Sequence, residues 1–315
     1  MTAPTSPSTR TPMSDAVVDY LRLRRALGHK LDADGRLLAA FAAHLDAQGI
    51  TQLRVHDALV WSVAGSNPAG AARRLSAIRT FARYLAAFDP ATEVPPVDLA
   101  PMRIVRRTPY VFTASEITAL LHAAGRLRPE QQAMTFTTLI ALMAATGIRT
   151  AEALRLETSD VVRNPDGGQL LIRCSKFGKT RHLPLHASTV QALERYLAFR
   201  PRTASTLLFT TPSGQRLDPA RTFPGLLSEA GISVAPGRRS PRLHDLRHTF
   251  AVNTLRDWHV QGVDVEQRLA VLSTYLGHIN PAYTYWYLQA VPELMGVLAE
   301  RLETYLDRAP GGGAA

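Results

Sequence analysis

The segment HDLRHTFA, residues 244–251, places two histidines and an arginine within little more than one helical turn. His244 and Arg247 are three positions apart, so one face of a helix would present both side chains. Arginine offers a planar fork of donors that matches two phosphate oxygens and keeps its proton. Histidine can carry a proton near neutral pH. The segment therefore predicts a helix that handles a phosphate group.

His248 lies four positions after His244, and an H-x-x-x-H pair can also bind zinc. A zinc site would need a third ligand, and a metalloprotease would need glutamate where Asp245 stands. We therefore predict no metal and no other cofactor. His248 is interpreted as an accessory residue that packs beside the phosphate site or supports it.

A second cation is predicted at Arg149, in the segment TGIRTAEALRL, residues 146–156. An almost wholly apolar segment precedes it and should form a buried helix that ends at Gly147. Arg149 would then begin another helix, where helix-start amides also favour anions. Glu152 follows three residues later and could orient Arg149 or a histidine, or could form a plain ion pair.

The candidate nucleophile is Tyr287, nine residues after His278 in the segment YLGH. A phenol can attack phosphorus and keep the bond energy in a phosphotyrosine ester, so rejoining needs neither ATP nor a metal. On a helix, Tyr285 would point about 200° away, whereas Tyr283 shares the face of Tyr287 one turn earlier. Tyr283 is therefore the second candidate.

Lysine is scarce, with three among the 36 basic residues, and two of the three lie in the segment SKFGK. Unlike arginine, a lysine can readily donate a proton, for example to a leaving 5′ oxygen. This chemistry favours Lys176 as a general acid. The alternative is a loop lysine that touches DNA, a role that would also suit Lys179 and Arg181.

The chain carries a formal net charge of +10 and has a pI of about 10.2, which favours a polyanionic partner such as DNA. General arginine bias would give the same charge. No apolar stretch is long enough to predict a membrane span, and the single cysteine fits a reducing cytoplasm. The predicted DNA contacts, some of which could equally form a solvated helix face, are Arg73, Arg74, Arg79, Arg83, Arg106, Arg107, Lys179 and Arg181.

Hydrophobic periodicity and proline content divide the chain into a helical region and a second domain with short strands. In the first helix, Val17, Leu21, Leu23 and Leu27 are predicted to share a buried face. Only a Ser/Thr/Pro-rich tail precedes it, so we expect no signal peptide. The predicted segments are a tail at 1–13, a helical DNA-binding domain at 14–100, a linker at 101–110, a catalytic domain at 111–305 and a tail at 306–315.

Four sequence motifs of this chain, in their order along the sequence, resemble those of the tyrosine recombinase (phage integrase) family. TGIRTAEALRL is similar to its first-arginine motif, SKFGKTRHLPL to its lysine hairpin, and HDLRHTFA to its H-x-x-R box. LGH followed by tyrosine at plus nine is similar to its last box. The resemblance implies a mainly α fold with a small β-sheet. It also implies a helical SAM-like core-binding domain before an α+β catalytic domain.

The resemblance implies that Arg149, Arg247, His244 and His278 hold the phosphate while Tyr287 forms a 3′-phosphotyrosyl link. Four protomers would assemble on two double-stranded recombination sites, and sister recombinases of the same element are possible partners. The C-terminal sequence is closer to recombinases of transposons and integrative elements than to those that resolve chromosome dimers. The alternatives are a non-cutting accessory subunit on the same fold and a type IB topoisomerase.

Overall fold

The computed structural model describes residues 12–65, 67–99, 108–164, 167–173, 180–200, 205–234, 239–278 and 280–290. The chain divides into two compact units, Met1–Arg106 and Arg107–Ala315. Within the described ranges, every helix is too short or too polar to serve as a membrane span. The last part of the predicted catalytic domain, residues 291–305, and the predicted tail at 306–315 lie outside these ranges.

The described part of the first unit is helical, with a core in which Leu38, Phe41, Ile78 and Phe81 are almost completely buried. Proline at the first position and the Asn67 side chain, which accepts from the amide of Gly70, start the last helix. The helices are α1 (Met13–Ala26), α2 (Asp32–Ala47), α3 (Val55–Val63) and α4 (Pro68–Leu85).

The predicted buried face of α1 was partly wrong. Val17 and Leu21 are buried, but Leu23 is 47% exposed and Leu27, which follows the end of the helix, is 65% exposed. Leu23 lies about 200° around the helix from Leu21. Tyr20 takes the inward position and packs against aromatic rings of α4.

The second unit combines helices with one small antiparallel sheet, in strand order β1-β2-β3. This confirms the predicted fold class, which is mainly α with a small β-sheet. The helices are α5 (Ala114–Gly125), α6 (Glu130–Thr146), α7 (Thr150–Ala153), α8 (Ala187–Phe199), α9 (Pro219–Glu229), α10 (Asp245–Val260), α11 (Val265–Leu276) and α12 (Ala282–Ala290). The strands are β1 (Val161–Asn164), β2 (Gly167–Ile172) and β3 (Arg181–Leu185).

Helix α6 is central to this unit and packs against α5, α8 and α10. Its residues Phe136, Leu139, Ile140 and Met143 have no exposed surface, which confirms the predicted buried helix. Each such side chain contributes about 1.5–3 kcal/mol by leaving water. A capping box formed by Thr113 and Glu116 starts α5. A second apolar cluster joins α10, α11 and α12.

Two helices end at glycines in the left-handed backbone conformation. Gly147 follows α6 with a φ of 60°, and Gly277 follows α11 with a φ of 68°. Such conformations are costly for other L-residues. A Cβ atom on Gly147 would also lie 2.5 Å from Cδ1 of Phe250. Both glycines therefore terminate their helices. Gly147 also lets Phe250 of α10 approach the end of α6 closely.

We expect Gly147→Ala to lower the free energy of unfolding of the second unit by about 2–4 kcal/mol, from backbone strain and overpacking. Gly225→Ala is the control, because Gly225 lies inside α9 with no atom near its added Cβ. That substitution should stabilise slightly, by about 0.5–1 kcal/mol. Urea unfolding in a Trp61→Phe background leaves Trp258 and Trp286 as fluorescent reporters of the second unit. Equal effects of the two glycine substitutions would contradict this account.

Candidate active site

Arg247 connects the ends of two helices. It extends from the first turn of α10 and its residue is only 2% exposed. Its Nη1 donates to the Gly147 carbonyl at 2.9 Å, and its Nη2 donates to the Leu276 carbonyl at 2.8 Å. The last carbonyls of a helix lack intrahelical partners and lie at the negative end of its dipole. The ends of α6 and α11 therefore stabilise this buried cation.

Arg149 lies beside the same two helix ends. It directly precedes α7, as the sequence predicted, and its side chain is 20% exposed. Nη2 donates to the Gly277 carbonyl, and Nη1 donates to Oε1 of Glu152 at 2.6 Å. Glu152 therefore pairs with Arg149, which was one of the alternative partners predicted for it from the sequence.

Glu152 also binds a third arginine, Arg181, from the start of β3. Nη1 and Nη2 of Arg181 donate to Oε1 and Oε2 of Glu152 at 3.1 and 2.8 Å. Burial would raise the pKa of Glu152, but hydrogen bonds and charges of Arg181 and Arg149 outweigh it and lower that pKa. The carboxylate is therefore ionised and bridges two guanidinium groups.

The cluster carries more positive than negative charge. Three guanidinium groups around one carboxylate leave a surplus of two positive charges (3 − 1 = 2). Burial, followed by the charge of Arg149, lowers the pKa of Arg247 to about 10, so it remains protonated at neutral pH. Buried cations in surplus favour an anionic ligand, since an anion would compensate charge that the protein leaves unpaired.

Three histidines surround the arginines in neutral form. Burial, followed by the charges of neighbouring groups that include Arg247, lowers the pKa of His244 and of His248 to about 4. Burial and then Arg247 lower the pKa of His278 to about 3. His278 Nδ1 lies 2.8 Å from Oγ1 of the fully buried Thr284, which orients the imidazole ring. The rings of His244 and His248 are 5.1 Å apart.

Tyr287 is the tyrosine of α12 that faces this cluster. It is 2% exposed, whereas Tyr283 and Tyr285 are 43% and 46% exposed. Its Oη lies 2.8 Å from Nδ1 of His248. A neutral imidazole can accept the phenol proton at an unprotonated nitrogen. His248 was predicted only as an accessory residue, and the structure puts it in direct contact with the candidate nucleophile.

Arg181 is the site residue whose position was not anticipated, since it was predicted as a DNA contact on a hairpin. Its side chain is 15% exposed and all three of its nitrogens are hydrogen-bonded. The alternation of side chains along the strand RHLPL, residues 181–185, could have predicted the inward position of Arg181. Successive strand residues face opposite sides, so Arg181 shares the inward side with the buried residues Leu183 and Leu185.

The predicted DNA contacts on α4 differ in their surroundings. Arg74 donates to the carbonyls of Trp61 and Ala64 and lies over the Trp61 ring. Arg79 donates to the carbonyls of Pro95 and Pro96. The side chains of Arg74 and Arg79 are therefore hydrogen-bonded to backbone carbonyls of the first unit. Arg73 pairs with Asp34 at the surface, and Arg83 is exposed. The remaining predicted positions, Arg106, Arg107, Lys176 and Lys179, lie outside the described residues.

No three His, Cys, Asp or Glu residues of the described ranges are arranged to hold a metal ion. The described site instead combines guanidinium donors, neutral imidazoles and a phenol. Such a set can bind a phosphoryl group, accept a proton and form an ester bond.

Comparison with known proteins gives a consistent result. The model of the phage integrase family matches residues 110–293. The integrase/recombinase y4rB of Sinorhizobium fredii is 42% identical over 303 residues, covering 91% of this chain and 96% of that protein. Tyrosine recombinase XerD of Caulobacter vibrioides is 32% identical over 274 residues, covering 84% and 80%.

Two solved structures share the fold. The integrase of transposon Tn1549, in complex with transposon right end DNA, has a TM-score of 0.65 at 16% identity and covers 93% of this chain and 100% of that chain. The XerH site-specific recombinase, bound to a palindromic difH substrate, has a TM-score of 0.64 at 19% identity and covers 91% and 84%.

The neutral histidines predict a pH dependence of stability. Their folded-state pKa values lie below the ordinary value of about 6.5, so the unfolded chain binds more protons below that pH. The free energy of unfolding should therefore fall as the pH decreases from about 6.5 towards 4. Each histidine contributes a slope of up to about 1.4 kcal/mol per pH unit.

This slope is measured between pH 6.5 and 5, above the range in which carboxylates titrate, by urea unfolding with the same tryptophan reporters. His248→Asn should make it shallower, because one buried titrating group is removed. A free energy of unfolding that stays constant over this range would contradict the buried neutral state of the histidines.

Proposed function

The chain belongs to the phage integrase family of tyrosine recombinases, enzymes that break and rejoin DNA, and from this we propose that it is a site-specific recombinase working through a 3′-phosphotyrosine intermediate. The observation that carries the proposal is the convergence of Arg149, Arg247 and the buried Tyr287 on one cationic site. His248, which lies against the phenol, belongs to the same site.

The arginines suit the binding of the scissile phosphate. Displacement at phosphorus builds negative charge on the equatorial oxygens, and fixed donors in a water-poor site stabilise that charge most. Arg149 and Arg247 are already held by helix-end carbonyls, so they need little rearrangement when the charge develops. We propose that His244 and His278 complete the phosphate site as further hydrogen-bonding groups.

The chemical step is a transesterification. Tyr287 Oη attacks phosphorus while the bond to the 5′ oxygen breaks, leaving a 3′-phosphotyrosyl ester and a free 5′ hydroxyl. His248 can accept the phenol proton, because its Nδ1 lies within hydrogen-bond reach of Oη and its ring is neutral at pH 7. Lys176 is proposed to supply the proton to the leaving oxygen. Attack by a 5′ hydroxyl of the other DNA reverses the step and exchanges strands.

The proposed partners are two double-stranded recombination sites and four protomers that exchange strands in two rounds. The helical domain at 14–100 would hold the DNA together with the catalytic domain at 111–305, joined by the linker at 101–110. The surplus charge of the chain supports a DNA partner. We propose the cytoplasm as the location of the protein, because its DNA substrates would be accessible there.

A mobile element is the proposed biological context, with integration, excision or transposition as the outcome. The 42% identity to the integrase/recombinase y4rB supports this choice over chromosome-dimer resolution. The alternative is a non-cutting accessory subunit of an element that encodes several sister recombinases. The covalent test below separates the two.

The principal test uses a nicked suicide substrate carrying an end of the element that encodes the protein. The parent protein should form a covalent DNA adduct, Tyr287→Phe should form none, and Tyr283→Phe, the matched control one turn away, should keep it. Denaturing gel electrophoresis measures the adduct. Adduct formation by Tyr287→Phe would refute this nucleophile, and binding without any adduct in the parent protein would favour the accessory subunit.

The general-acid role is tested by replacing the leaving 5′ oxygen with sulfur. A thiolate leaves without needing a proton, so Lys176→Ala should cleave the normal substrate about 10²–10⁴-fold more slowly but the sulfur substrate nearly as fast as the parent protein. Lys179→Ala is the matched control from the same segment and should show no such rescue. Equal losses of Lys176→Ala on both substrates would argue against the proton transfer.

A further inference from the structure

Arg181 is more than a basic residue near DNA. We propose that it is a positioning residue, which holds Glu152 so that Arg149 keeps its phosphate-binding orientation and charge. The inference rests on the proposed function, since it concerns how the same site stabilises the phosphate. It departs from the sequence-based prediction that Arg181 contacts the DNA backbone.

The first support is that each of the three guanidinium nitrogens of Arg181 donates a hydrogen bond within the protein. Nη1 and Nη2 bind the two oxygens of Glu152, and Nε donates to the Tyr275 carbonyl at 3.2 Å. Three of its five N–H groups are thereby engaged and its side chain is only 15% exposed, which favours a role inside the protein over a contact with a DNA phosphate. The planar fork matches a carboxylate in a way that a lysine ammonium cannot.

The second support is the sharing of one carboxylate oxygen. Oε1 of Glu152 accepts from both Arg149 and Arg181, and the Glu152 side chain is 1% exposed. Without Arg181, this buried carboxylate would have Arg149 as its remaining guanidinium partner. The pair would then approach neutrality, and Arg149 would be drawn away from an incoming phosphate. Arg181 therefore preserves positive charge at Arg149.

The third support is the close fit at the end of α11. A Cβ atom on Gly277 would lie 2.9 Å from Nη1 of Arg181 and 3.3 Å from Nη1 of Arg149. The Gly277 carbonyl in turn accepts from Arg149. One arginine–carboxylate–arginine bridge thus fixes the relative positions of strand β3, helix α7 and the end of α11. A small displacement of a phosphate-binding group can cost about 100-fold in rate.

Single-turnover cleavage of the suicide substrate, at saturating protein, tests the proposal together with DNA affinity measured by fluorescence anisotropy. Arg181→Lys and Arg181→Met should both cleave about 10- to 100-fold more slowly, with dissociation constants within about threefold of the parent value. Replacing the leaving oxygen by sulfur should not rescue either variant, because the defect lies at the phosphate and not at the leaving group.

Arg173→Met is the matched control for loss of an ion pair. Arg173 follows the neighbouring strand and binds the buried carboxylate of Asp160 at 2.6 Å, outside the arginine cluster. Its cleavage rate should stay near the parent value. Glu152→Gln provides a double-mutant cycle: adding Arg181→Met to it should slow cleavage far less than Arg181→Met does in the parent protein, because Arg181 then has no carboxylate to position.

Several outcomes would overturn the inference while leaving the proposed function intact. They are a parent-like rate for Arg181→Lys, a loss confined to DNA affinity, and an equal loss in Arg173→Met. A loss of the α10 amide protection measured by hydrogen exchange would likewise reassign Arg181 to folding. If the parent protein forms no Tyr287-dependent adduct, the proposed function itself fails, and the inference fails with it.

Discussion

The hydrogen bonds between two arginines and the carbonyl groups at the ends of α6 and α11 fix the positions of the candidate active-site residues. A helix end leaves such carbonyls without partners, and here arginine side chains supply the missing donors. Arg247 joins both ends, and Arg149 binds the carbonyl of Gly277. The left-handed glycines end the helices at the right point, since other residues would be strained there.

This arrangement explains the electrostatic state of the site. Burial lowers the pKa of Arg247 only to about 10, so this guanidinium group, which donates to two helix-end carbonyls, stays charged at neutral pH. The neighbouring histidines are neutral, because burial and nearby cations lower their pKa values well below 6.5. A cationic site with neutral imidazoles can bind an anion and still accept a proton, two requirements of phosphodiester transesterification. Glu152 limits the repulsion between Arg149 and Arg181 without cancelling the surplus charge.

Local signals predicted the elements that depend on neighbouring residues. The buried helix α6 and its end at Gly147 follow from an apolar run and from the backbone freedom of glycine, both within a few positions. The predicted burial of Leu23 was wrong because this residue lies about 200° around α1 from the buried Leu21. The position of Arg181 could have been inferred from strand alternation in RHLPL, because the buried Leu183 and Leu185 set the inward side.

The sequence by itself determined the family, the fold class and the candidate site residues, because motif spacing and order are properties of the chain. The pairing of those residues depended on tertiary structure. Arg247 and Gly147 are 100 positions apart, Arg149 and Gly277 are 128 apart, and His248 and Tyr287 are 39 apart. Contacts over such distances depend on how helices and strands pack. Only the packed unit decides which donor meets which acceptor and which buried charge stays uncompensated.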